Sequence, residues 1–252
     1  MSKVLEKAVH YQLITYLEEN NLLSNRQFGY RKRRSTELAT TLFLDDIRKD
    51  VDQNMLTGAV FLDLSKAFDT LGHSVLTNKL PAYGIKGMEL KWFEDYLFQR
   101  FQHVSLENQA SNKEPVTTGV PQGSILGPLL FLLYFNDFED CLRRARVITF
   151  ADDTVVYYSS DNFDEIQNVL NSELLSISNF LYDNELVANL KQGKTESMLF
   201  GTSKKLTKVP ERLDLHFRNH EMNFTNRYKY LGTTVDSTLQ LSDNFDKQYK
   251  KA

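Results

Sequence analysis

Cysteine is almost missing from this chain. The one thiol, Cys141, rules out an internal disulfide and a CxxC zinc site. It reads as a small buried hydrophobe, and an intracellular setting, cytoplasmic or nuclear, is expected. Proline and glycine are few, 5 and 11 in 252 residues, which excludes collagen-like and low-complexity chains. Long apolar runs are missing too. The longest, Ile125 to Phe135, falls far short of the ~18 residues that a membrane crossing needs, and Met1 to Val9 hold no apolar signal-peptide core. An excess of positive charge is also absent: 30 Lys+Arg against 33 Asp+Glu leave a net charge of -3. Nucleic-acid binding through overall charge is thereby excluded, and any phosphate-binding surface must be local.

What remains is an ordinary globular composition, 41% hydrophobic and 25% charged, long enough to bury about three-quarters of its unfolded surface without staples. Apolar spacing predicts helices over 4–17, 36–51, 73–83, 87–100, 124–138 and 163–182. Short β-branched or aromatic runs predict strands at 58–62, 101–106, near 116, 146–150, 154–158, 195–200, 212–217 and 228–235. Mixed order with antiparallel hairpins argues for an α+β fold. Positive charge is gathered in two places: Arg26, Arg31, Lys32, Arg33 and Arg34 in one loop, and Lys191, Lys194, Lys204, Lys205 and Lys208 further on.

Three carboxylates stand out by context. Asp63 ends the buried strand Gly58 to Leu62, and Asp152-Asp153 lie at the turn between two strands. Adjacent carboxylates repel unless a cation sits with them. Asp45-Asp46 is also a pair, but beside Arg48 and Lys49 on a helix it reads as a solvated face. Hard oxygen donors without His or Cys suit Mg²⁺, and magnesium that leaves positions for phosphate oxygens is the arrangement of phosphoryl and nucleotidyl transfer. His216 and His220, four apart on an expected strand, read as non-ligating. Ala188 to Thr195 nearly spells a P-loop, but a strand is expected after it where a P-loop needs a helix.

Phe61-Leu62-Asp63-Leu64-Ser65-Lys66-Ala67-Phe68-Asp69, Pro121-Gln122-Gly123-Ser124-Ile125-Leu126-Gly127-Pro128 and Phe150-Ala151-Asp152-Asp153 resemble, in this order, the central motifs of reverse transcriptases of non-LTR (LINE-type, jockey-like) retrotransposons. Gln27-Phe28-Gly29-Tyr30-Arg31 with Ser35-Thr36-Glu37, then Asn189 with Lys194-Thr195-Glu196, and Tyr230-Leu231-Gly232 extend the resemblance over about 3–235. It implies a palm, a ferredoxin-like antiparallel sheet packed on helices, and RNA-directed DNA polymerisation with two Mg²⁺ ions, an RNA template, a DNA primer and dNTPs. By the same resemblance Asp63 and Asp152 bind both ions, assisted by Asp153. Phe68 lies against the sugar, Gln122 and Gly123 line the nascent base pair, Lys194 protonates the leaving pyrophosphate, and Tyr230, Leu231 and Gly232 grip the primer. Arg31, Lys32, Arg33 and Arg34 are candidate nucleic-acid contacts.

The expected division is partial fingers over 1–57, a palm with inserted fingers elements over 58–235, and the start of a thumb or a tail over 236–252. The family's Arg-Pro-Ile fingers segment and its helical thumb are not matched. A truncated copy with an intact palm is therefore expected, the alternative being an inactive palm scaffold that binds RNA without polymerising.

Overall fold

The computed structural model describes residues 2–98, 100–106, 109–121 and 123–240. They fall into two units. One unit takes Asn25–Ser65, Phe138–Tyr182 and the chain from Val187 on, and it carries the sheet; the other takes 2–24, Lys66–Asp137 and Asp183–Leu186 and is mostly helical.

In the sheet unit, the Ser35 hydroxyl accepts a hydrogen bond from Leu38 N–H at 3.2 Å and Glu37 lies in the first turn, so α1 (Thr36–Asp52) starts there. Ala39, Phe43, Leu44 and Ile47 recur at helical spacing and are buried. They cover a five-stranded sheet of β1 (Leu56–Leu62), β2 (Arg146–Phe150), β3 (Asp153–Ser160), β4 (Glu196–Phe200) and β5 (Asn223–Phe224). The order is β5-β4-β1-β3-β2, and only the β5–β4 pair is parallel. All seven residues of β1 are buried, as its largely apolar sequence requires of a central strand, and Thr57, its one polar side chain, hydrogen-bonds Ser159 Oγ at 2.8 Å. Ala59 and Phe61 pack with Phe43, whose ring meets those of Phe61, Tyr157, Phe200 and Tyr230 edge-on at 5.2–5.9 Å. Gly58 faces the opposite side, where a Cβ would come 2.5 Å from Ile166 and 2.7 Å from Leu170 of α2 (Phe163–Asp183). Glycine is what lets this helix approach.

Four sequence expectations fail in this unit. Asp45 is exposed, but Asp46 is not on a solvated face. Its carboxylate accepts a hydrogen bond from Tyr157 Oη at 2.7 Å and lies 3.9–4.0 Å from Arg146 and Arg26, both brought in by strand pairing. Cys141 is only partly buried. The run expected as one strand over 228–235 is a hairpin, β6 (Arg227–Tyr230) and β7 (Thr233–Asp236), and only His216–Phe217 of 212–217 is strand, paired with His220–Glu221. As expected, a strand and no helix follows Thr195, which removes the P-loop reading.

The helical unit has Ser2–Glu19, His73–Lys79, Gly87–Leu97 and Gly127–Phe135. The last was expected from Ser124. It begins three residues later because Ser124 Oγ accepts from Gly127 N–H at 2.8 Å and Pro128 suits the first turn, and every residue but Pro128 is buried. The loop leading to it is strapped down: Gly119 N–H donates to Leu71 O at 2.7 Å, Val120 N–H to Phe68 O at 3.0 Å, and His73 Nε2 meets Gly119 O at 2.7 Å. Gly119 has φ +78, and a Cβ there would stand 2.7 Å from the Asp69 carbonyl. Among the described residues no helix is long and apolar enough to cross a membrane.

Candidate active site

Antiparallel register brings the carboxylates together. Leu62 pairs with Thr154, so Asp63, the next residue after β1, and Asp153, the residue before Thr154, stand at the same end of neighbouring strands, which run about 4.8 Å apart. Phe150 pairs with Asp153, leaving Ala151-Asp152 as a two-residue turn. Ala151 takes φ +57 at the first turn position, where glycine is the usual residue.

Asp63 is held from below by the segment before β4. Asp63 N–H donates to Thr195 Oγ1 at 3.1 Å, Asn189 N–H donates to Asp63 O at 2.8 Å, and the Asn189 amide donates to Asp63 Oδ2 at 2.9 Å. Lys194 Nζ lies 3.5 Å from Asp63 Oδ1. The Asp152 carboxyl is pushed up by burial and by the charge of Asp63; that of Asp153 is pushed up by burial, then by Asp152 and Asp63. Lys194 opposes both shifts. The site therefore holds more negative charge than its own cation offsets.

A hard dication would relieve this charge. Among the described residues no three His, Cys, Asp or Glu stand ready-made around a metal ion, but magnesium is commonly held by one or two carboxylates and completed by substrate phosphates and water. The donors present fit that mode.

Tyr230 is buried behind Asp153, and Leu231 and Gly232 form the tip of the β6–β7 hairpin with φ +45 and +87, as in a type I′ turn. With Phe61, Leu62, Asp153, Thr154 and Tyr228 these three line one hollow of about 170 Å³. Arg31 and Arg34 brace their own loop: Arg31 donates to Gln27 O at 3.3 Å, Arg34 donates to Asn25 O at 2.6 Å, and the Arg34 guanidinium lies 4.7 Å from the Phe28 ring centre. Lys32 and Arg33 are exposed. In the helical unit, Phe68 stacks on Phe131 at 4.7 Å, and Gly123 is exposed with φ +75. Gln122 lies outside the described residues.

Two tyrosines at the site escaped the sequence reading. Burial, then Asp152 and Asp153, pushes the Tyr30 hydroxyl up, and burial, then Asp63 and Asp153, does the same to Tyr228. Tyr228 stacks on Phe61 at 4.1 Å and donates to Lys194 O at 2.7 Å. Tyr30 lies within the Gln27 to Arg31 motif, which drew no role for it, and Tyr228 sits beside Tyr230-Leu231-Gly232, where the strand alternation with Tyr230 is the signal that could have found it.

The α+β palm-like fold is also found in solved structures. An apo telomerase from Candida tropicalis, truncated from its C-terminal domain, superposes with a TM-score of 0.63 at 13% identity, covering 96% of this chain and 45% of that one. A telomerase from Candida albicans, in complex with a fragment of telomeric RNA, gives 0.63 at 14%, covering 96% and 38%. These likenesses define the fold class. The chain belongs to the reverse transcriptase (RNA-dependent DNA polymerase) family, whose sequence profile matches residues 1–235. It is 29% identical to a probable RNA-directed DNA polymerase from transposon BS and 26% identical to the RNA-directed DNA polymerase from mobile element jockey, both of Drosophila melanogaster, over 95% and 96% of this chain. This is a reverse-transcriptase domain similar to those of transposon and mobile-element polymerases, and it spans about a quarter of the length of those relatives.

Proposed function

We propose that this domain extends a DNA primer along an RNA template with dNTPs, by nucleotidyl transfer on two Mg²⁺ ions. The observation that carries the proposal is the register-set gathering of Asp63, Asp152 and Asp153, with Lys194 beside Asp63. Asp63 and Asp152 hold the ions and Asp153 assists. When bound, Mg²⁺ polarises phosphoryl oxygens and makes the primer 3′-hydroxyl a better nucleophile. Asn189 and Thr195 orient Asp63, and a carboxylate fixed by hydrogen bonds loses little freedom when it takes up a ligand. Lys194, half exposed and long enough to swing, delivers a proton to the departing pyrophosphate.

Tyr230, Leu231 and Gly232 hold the primer end beside Asp153, and Arg31, Lys32, Arg33 and Arg34 contact nucleic-acid phosphates, with Lys32 and Arg33 the accessible pair. Phe68, against the sugar, and Gln122 and Gly123, at the nascent base pair, are proposed on their motif matches. In the same terms, 1–57 belongs to the fingers and 58–235 to the palm with inserted fingers elements, 236–252 leading toward a thumb or tail.

Primer extension on an RNA template with Mg²⁺ and dNTPs tests this. It is run with the chain itself and with the chain set in place of the matching stretch of the jockey-element polymerase. The expected result is RNA-templated synthesis that Asp63→Asn and Asp152→Asn each abolish and Asp45→Asn leaves intact. RNA binding without synthesis in both settings would replace this reading with a non-polymerising scaffold.

A further inference from the structure

The turn that carries Asp152 has a problem of its own. Ala151 is in the left-handed region, which costs a non-glycine residue about 1–3 kcal/mol. Its N–H and C=O lie in the turn, outside the β2–β3 ladder, and the residue is buried. Unpaired, those two groups would be costly.

Gln27 solves this from 124 residues away. Its Oε1 accepts from Ala151 N–H at 2.9 Å, its Nε2 donates to Ala151 O at 3.3 Å, and the same Oε1 accepts from Gly29 N–H at 2.7 Å. The side chain is buried. Its own backbone is fixed by strand-like pairing with β2: Phe28 N–H donates to Thr149 O at 2.8 Å and Thr149 N–H to Arg26 O at 2.9 Å. Gly29 then lies flat against the turn, where a Cβ would be 2.3 Å from Ala151 N. A primary amide carries an N–H donor group and an oxygen acceptor side by side in a single plane. Binding both backbone groups of Ala151 sets the planes of the peptides on either side, and one of these is the peptide into Asp152. No other uncharged side chain of this length offers that pair.

We propose that Gln27 is the positioning residue of the metal-binding turn, holding Ala151 in its left-handed conformation so that the Asp152 carboxylate faces Asp63. This rests on Asp152 being a metal ligand, as argued above. The tests use Gln27→Met, which keeps the volume and loses all three hydrogen bonds, and Gln27→Asn, which keeps the amide on an arm one methylene short. Mn²⁺ is the probe, its binding followed by electron paramagnetic resonance, with folding followed by circular dichroism. Both variants should fold and bind Mn²⁺ ten- to a hundredfold more weakly, the usual effect of losing a group that orients a metal ligand. In the jockey-element setting kcat should fall while the KM for primer–template stays within about twofold. Unchanged Mn²⁺ affinity in a folded variant, even with a lower melting temperature, would overturn the proposal and leave Gln27 a structural residue only. Should Gln27→Met fail to fold, Gln27→Asn decides. Asp152→Asn is run in parallel, because unchanged Mn²⁺ binding there would instead overturn the metal reading itself.

Discussion

Asn189 reaches across 126 residues of sequence to donate to Asp63 Oδ2 at 2.9 Å, while its own N–H donates to the Asp63 carbonyl at 2.8 Å. One residue thus fixes both the backbone and the carboxylate of the strand end. Lys194, on the same segment, supplies the countercharge at 3.5 Å.

Removing that countercharge leaves three carboxylates to repel one another. Lys194→Met is expected to lower the melting temperature of the metal-free protein, and the loss should shrink in the presence of Mg²⁺ or in an Asp63→Asn background. Thermal unfolding of the four proteins, as a double-mutant cycle, measures the coupling.

The raised carboxyls make a pH prediction with a definite sign. A group whose folded pKa lies above its unfolded value contributes stability that is fully present below the unfolded pKa and is lost as pH rises through the folded one. Asp152 and Asp153 both shift upward, so metal-free stability from this site should fall from the ordinary carboxylate range upward and stay low at pH 7. Asp152→Asn should then raise the metal-free melting temperature at pH 7. The gain should disappear below pH 4 and reverse when Mg²⁺ is added.

Asp45 and Asp46 should behave oppositely despite being neighbours. Asp46→Asn breaks the set made with Tyr157, Arg146 and Arg26 and is expected to cost about 2 kcal/mol, the range for a hydrogen bond to a charged group. Asp45→Asn should stay within about 0.5 kcal/mol. Urea unfolding of each reads the difference.

Gly58→Ala drives a methyl into Ile166 and Leu170. A loss of about 1–3 kcal/mol is expected from overpacking, part of it recovered in an Ile166→Ala background. Equal losses in both backgrounds would place the strain elsewhere.

Much of the fold was legible because local pattern carried it. Gly58 to Leu62 reads as a strand from its own residues, two residues short of the Leu56 where β1 begins, and the Asp152-Asp153 hairpin from the two apolar runs around it. What stayed hidden depends on which strand lies beside which. Asp46 looked solvated because Arg26, Arg146 and Tyr157 reach it only through the sheet. Gln27 gave no sign of its partner, since its hydrogen bonds go to the backbone of Ala151, and backbone groups leave no trace in a residue pattern. The 228–235 run concealed a hairpin because Leu231 stands in a left-handed position that favours Asn or Gly.

The register of β1 also has a kinetic consequence. The β2–β3 hairpin closes over two residues, whereas the Leu62–Thr154 pair joins positions roughly ninety residues apart, with Lys66–Asp137 of the other unit strung between them. Loop closure at that length costs about 3 kcal/mol more entropy than a tight turn, and such long-range pairing is slow. The turn bearing Asp152 and Asp153 therefore forms in a fast local step, and Asp63 joins it in a slow one.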